Sequence, residues 1–124
     1  PGFVRQAVQT FGSLISVGID AKDGMVCAEG WLETSQVHYV DFAREMEQIG
    51  LRHLIYTDIA TDGTLQGPNF EHLSVLQNAV SMDITASGGI RDKRHIDRLK
   101  KMGLYGAICG KSLYAGTLSL SEIL

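Results

Sequence analysis

Four short β-rich runs punctuate the chain, at residues 14–19 (LISVGI), 53–57 (HLIYT), 83–86 (DITA) and 106–109 (GAIC). The stretches between them carry helical periodicity. Val37, Val40, Ala43, Met46 and Ile49 recur every three residues, with Gly50 as a stop. Phe70, Leu73, Leu76 and Val80 follow Asn69, a side chain suited to capping a helix start. Asp92 is placed to cap another helix that buries Ile96 and Leu99 and ends at Gly103, and Phe3, Val4, Ala7, Val8 and Phe11 predict one more helix ahead of the first strand. On this pattern the chain opens in the middle of a repeating unit. Strand-to-helix alternation implies parallel strands joined by right-handed crossovers, with both sheet faces covered or the sheet closed into a barrel. The class is α/β, and periodicity alone fits an open four-stranded sheet as well as half of a (β/α)₈ barrel.

The size narrows this picture. At about 100–200 residues per domain, 124 residues allow one domain and no second sizeable core. Lys and Arg total 11 against 14 Asp and Glu, a net charge of −3, and the basic residues form no tract, so nucleic acid is not expected as the main partner. No apolar run approaches the ~18 residues of a membrane span, and the N-terminus shows no export signal, so a soluble, cytoplasmic protein is expected. Cys27 and Cys109 lie far apart, which suits neither a disulfide framework nor a CxxC motif. His38, His53, His72 and His95 show no HxxxH or HExxH spacing, so no metal is expected, and no other cofactor is invoked. Glycine is the outlier, 14 of 124 residues against a usual ~7%.

The glycines follow the strands. After the four runs come Asp20-Ala21-Lys22-Asp23-Gly24, then Thr57 to Thr64, then Ser87-Gly88-Gly89, then Gly110-Lys111-Ser112. In parallel α/β folds chemistry gathers at the carboxyl ends of strands. Ser87, Gly88 and Gly89 lead toward a helix, and Gly110-Lys111-Ser112 is expected to open a short one, so backbone N–H groups of both could converge on a phosphate; the same glycines also suit tight turns. Asp20 could serve as a general acid or base at the mouth of a site, or form an Asx turn. Thr57 and Asp62 offer a hydroxyl and a second carboxylate, although Asp62-Gly63 is also an ordinary turn dipeptide. Trp31, after Gly30, is available to stack on a planar heterocycle or to join the core.

Taken together, residues 18–24 (GIDAKDG), 30–33 (GWLE), 56–69 (YTDIATDGTLQGPN), 86–90 (ASGGI) and 110–114 (GKSLY) closely resemble the back half of the phosphoribosylformimino-AICAR phosphate (ProFAR) isomerases of histidine biosynthesis. The match runs in order along nearly the whole chain. The sister cyclases share the Asp-Gly-Thr and Ser-Gly-Gly elements, but their corresponding strand reads closer to Leu-Thr-Ser-Met than to Tyr56-Thr57-Asp58-Ile59.

The resemblance implies a (β/α)₈ barrel, which needs about 250 residues, so residues 1–124 are expected to form a single C-terminal half-barrel, strands 5–8 of the family fold, truncated at both ends. It also implies an Amadori rearrangement of an aminoaldose phosphate to an aminoketose. In that chemistry Asp20 is the general acid that protonates the ring oxygen, Thr57 supports it, and Asp62 and Gly63 lie in the same active-site loop. Trp31 packs near the imidazole carboxamide. Ser87, Gly88, Gly89, Gly110 and Lys111 hold one phosphate, Lys111 standing where the family often has arginine. The base and the second phosphate site belong to the front half, so the chain alone is expected to be inactive and to pair with a front half or with itself. The expected substrate is a phosphorylated ribosyl-imidazole carboxamide. A sugar-phosphate-binding or scaffold half-barrel without activity is the alternative class, and a dual histidine- and tryptophan-pathway isomerase, as in some actinobacterial relatives, is a further one.

Overall fold

The fold comes from a computed structural model that describes residues 2–28, 33–60 and 67–110, together with residues 116, 118, 119 and 121. Helix α1 (Gly2–Phe11) and a 3-10 turn (Gly12–Leu14) lead into β1 (Ser16–Lys22). An antiparallel hairpin follows, β2 (Met25–Ala28) and β3 (Glu33–His38), and then α2 (Tyr39–Ile49), β4 (His53–Asp58), α3 (Phe70–Ala79), β5 (Asp83–Ser87), α4 (Lys93–Met102) and β6 (Gly106–Ile108). The sheet order is β3-β2-β1-β4-β5-β6, in which β1, β4, β5 and β6 run parallel.

The caps read from the sequence form as expected. Asn69 Oδ1 accepts from His72 N at 3.0 Å and Asp92 Oδ1 from Arg94 N at 3.0 Å, each satisfying a donor that a helix start leaves unpaired. Gly50 (φ +107°) and Gly103 (φ +80°) close α2 and α4 in left-handed conformations. The expected helix from Val37 begins later, at Tyr39, and Val37 belongs to β3. His38 makes that start, its ring Nδ1 accepting from Val40 N at 3.3 Å.

The hairpin is the larger departure from a plain run of βα units. Asp23 (φ +51°) and Gly24 (φ +81°) both take positive φ, as a two-residue hairpin turn between strands of right-handed twist requires. The flanking pairs Lys22↔Met25 and Ala21↔Val26 continue β1 past Asp20, which therefore lies within a ladder.

Strand alternation sorts the two faces. Ile19, Ala21, Leu54, Tyr56, Ile84 and Ala86 join Val40, Ala43, Met46, Leu73, Leu76 and Leu99 of the helices in one buried cluster. Each of the larger side chains stabilises the fold by about 1.5–3 kcal/mol relative to exposure. On the other face, Asp20, His53, Ile55, Thr85 and Ser87 are half-buried, and Ser16 and Ile108 are exposed. A parallel sheet normally has both faces covered, and here the described helices cover one. The open face carries a hollow of about 290 Å³ lined by Leu14, Ser16, His53, Ile55, Thr85 and Tyr105.

Candidate active site

Three of the candidate polar residues stand side by side. Asp20 is in register with Thr57 across β1 and β4, and Thr57 with Ser87 across β4 and β5. In-register neighbours of a sheet share a face, so the carboxylate and two hydroxyl side chains form a row on the open face at the carboxyl ends of their strands. Thr57 is buried, 7% exposed, while Asp20 and Ser87 are half-buried. The β2 strand adds Cys27 beside this row. Burial pushes its thiol above the ordinary range, and the Asp20 carboxylate pushes it further in the same direction.

The opposite side of the same strand ends holds the loops in place. Asp58, 8% exposed, accepts from Ala60 N through Oδ1 at 3.0 Å and from Asn69 Nδ2 through Oδ2 at 2.8 Å. Its carboxylate thus bridges the start and end of the connection from β4 to α3. Ile59 N donates to Ala21 O at 3.0 Å, tying the same loop to β1. Beneath it, the Tyr56 hydroxyl meets His72 Nδ1 at 2.7 Å, and burial first, then the Asp58 charge, holds that phenol well above its ordinary pKa.

After β5 the chain turns through Gly88 (φ +92°) and Gly89 (φ +79°), both buried, and reaches α4 at Asp92. Consecutive residues of positive φ, a conformation glycine adopts readily, expose backbone groups just ahead of a helix, an arrangement suited to an oxyanion such as phosphate. Gly67 N donates to Gly89 O at 2.7 Å, so the β4 and β5 loops are stitched together. Gly110 follows β6 and is exposed. Trp31, Asp62, Gly63 and Lys111 lie outside the described residues. Among the described residues no group of three metal-ligating side chains comes together, and no helix is long and apolar enough to cross a membrane.

A second hollow, about 350 Å³, lies at the opposite, amino-terminal ends of β4 and β5 among Glu47, Arg52, His53, Ser81 and Asp83. It faces away from the row of polar strand ends. There Glu47 Oε2 accepts from Ser81 N and Ser81 Oγ at 2.6 and 2.7 Å, fastening α2 to the turn before β5.

Residues 1–119 match the family described as histidine biosynthesis protein. The chain belongs to this family. The histidine biosynthesis family is a (β/α)₈-barrel family, and the four parallel strands with their covering helices fit a half-barrel. Three curated relatives carry the name 1-(5-phosphoribosyl)-5-((5-phosphoribosylamino)methylideneamino)imidazole-4-carboxamide isomerase, the ProFAR isomerase. That of Listeria welshimeri is 50% identical over 123 residues, 99% of this chain and 51% of the relative. That of Clostridium botulinum is 52% identical over 121 residues, 98% of this chain and 51% of the relative. That of Clostridium beijerinckii is 53% identical over 119 residues, 96% of this chain and 50% of the relative. The chain thus spans about half the length of the curated relatives it matches.

Several structural contributors within this member of the family were not singled out from the sequence. Asp58 sits inside the 56–69 motif, yet as a single residue it carries no signal, because its role depends on Asn69 folding back to it. The Asp23-Gly24 dipeptide was a legible hairpin signal. His95 had no local signature at all.

Proposed function

We propose that this chain is the C-terminal half of a ProFAR isomerase barrel, its parallel strands β1, β4, β5 and β6 being strands 5–8 of the family fold. The observation that carries the proposal is the register that aligns Asp20, Thr57 and Ser87 at the carboxyl ends of three parallel strands, next to the Gly88-Gly89 turn. In this scheme Asp20 protonates the ribose ring oxygen of the aminoaldose phosphate and the ring opens to a Schiff base. A base then removes the C2 proton, and tautomerisation yields the aminoketose. A positioned acid or base is worth about 10²–10⁴-fold in rate.

Thr57, in register with Asp20 and buried, is suited to orient that carboxylate. Ser87, Gly88, Gly89, Gly110 and Lys111 hold one phosphate, Trp31 packs against the imidazole carboxamide, and Asp62 with Gly63 borders the substrate from the β4 loop. The base and the second phosphate site come from a front half. The open sheet face is where that half, or a second copy of this chain, covers Ile55, Thr85 and Ile108. Neither metal nor cofactor enters this scheme, nucleic acid and membrane are not partners, and the reaction belongs to the cytoplasm.

The test is ProFAR isomerisation by the chain alone and mixed with a separately produced front half of a related barrel. Turnover is expected only in the mixture, and Asp20→Asn is expected to reduce it by at least about 10²-fold. Turnover by the chain alone would overturn the requirement for an outside base. Phosphate binding without turnover in the mixture would favour a binding half-barrel instead.

A further inference from the structure

His95, on the first turn of α4, lies between the two loops that border the Gly88-Gly89 turn. Its Nδ1 accepts from Arg91 N at 3.0 Å. The other edge of its ring lies so close to Gly67 that a Cβ there would meet Nε2 at 3.1 Å and Cε1 at 3.2 Å. Gly67 in turn donates to Gly89 O. Phe70 of α3 meets the ring edge-on at 6.0 Å between centroids, and the Arg98 guanidinium lies 3.9 Å over the Phe70 ring.

We propose that His95 is a positioning residue for the Gly88-Gly89 cradle, holding it in its anion-binding turn as a neutral ring with Nδ1 unprotonated. The inference rests on the phosphate role proposed above and adds what sets the shape of that cradle. A protonated ring would carry N–H groups at both nitrogens and set Nδ1–H against Arg91 N–H, two donors facing each other. The surroundings favour the neutral form. Burial and the guanidinium groups of Arg94, Arg91 and Arg98 depress its pKa, and Asp92 opposes them. The facing surfaces of Phe70 and Gly67 are uncharged.

The test is NMR on the labelled full chain, with inorganic sulfate as the probe because its charge stays constant over about pH 5–8, the range in which histidine titrates. Sulfate is expected to shift the Gly88 and Gly89 amides. His95→Leu, which removes the acceptor, is expected to weaken sulfate binding about fivefold and to speed exchange of the Arg91 amide. His95→Asn, whose side-chain oxygen can accept in place of Nδ1, is expected to restore both. The ratio of wild-type to Asn-variant affinity is expected to fall as His95 takes up its proton.

Equal sulfate binding and equal Arg91 exchange in all three proteins would overturn the inference and leave the phosphate role standing. No sulfate binding by the wild type would instead count against the phosphate role. With no anion held there, the inference, which rests on that role, would fall with it. If the Leu variant does not fold, the imidazole ¹⁵N shifts of the wild type decide, since a neutral ring protonated at Nδ1 overturns the inference.

Discussion

Asp58→Asn changes the chemistry of one buried side chain while preserving its volume. The carboxylate accepts from Ala60 N at 3.0 Å through one oxygen and from Asn69 Nδ2 at 2.8 Å through the other. An amide has one oxygen, so turned to keep the Ala60 bond it sets its own NH₂ against that of Asn69. Asn69 cannot relieve the conflict by turning over, because its Oδ1 caps α3 through His72 N. The variant therefore loses a charge-assisted hydrogen bond, about 1.5–3 kcal/mol, and carries either a donor–donor contact or a lost cap, about 1 kcal/mol. The expected total is about 2.5–4 kcal/mol, which at typical urea slopes lowers the unfolding midpoint by about 1–2 M. Urea titration followed by far-UV circular dichroism measures it, with exchange of the His72 amide reporting the cap. Adding Asn69→Asp should recover most of the loss, since the carboxylate introduced at position 69 would accept from the amide introduced at position 58 and still cap the helix. A midpoint shift below about 0.3 M, or no recovery in the double variant, would refute the role given to this bridge.

Gly67→Ala is expected to destabilise by about 1–3 kcal/mol in the same titration, because φ is +109° there and the new methyl meets the His95 ring. Tyr56→Phe removes the hydroxyl held at 2.7 Å from His72 Nδ1 and should cost about 1 kcal/mol, with no change in urea slope. His95 is depressed in the folded chain, chiefly by burial, against an unfolded value of about 6.5. The unfolded state thus binds the extra proton first, so this contribution to stability is complete above about pH 6.5 and is lost as pH falls from there toward the folded pKa. Unfolding midpoints across that range should fall more steeply for the wild type than for His95→Asn, and parallel profiles would contradict the shift.

The α/β class and the order of its parallel strands and helices were legible because each rests on contacts a few residues apart. Asn69, Asp92, Gly50 and Gly103 act on the turn they adjoin, so their types alone announce the helix boundaries. The β2–β3 hairpin lay outside the expected strand-helix alternation although Asp23-Gly24 announced it, since β2 is only four residues long and β3 (ETSQVH) is mostly polar. Among the candidate site residues, Asp20, Thr57, Ser87 and the glycine pair were legible as polar or turn-forming ends of apolar runs.

What the sequence by itself determined is therefore the inventory: apolar strands, amphipathic helices, their caps, and carboxylate, hydroxyl and glycine at the strand ends. Only the tertiary structure decided that Asp20, Thr57 and Ser87 share one row, since register is set by pairing between strands far apart in the chain. The same holds for Asp58 closing on Asn69 and for His95 between Gly67 and Arg91. Such contacts form only once the sheet has fixed the distance between loops, and no periodicity within a single segment encodes that distance.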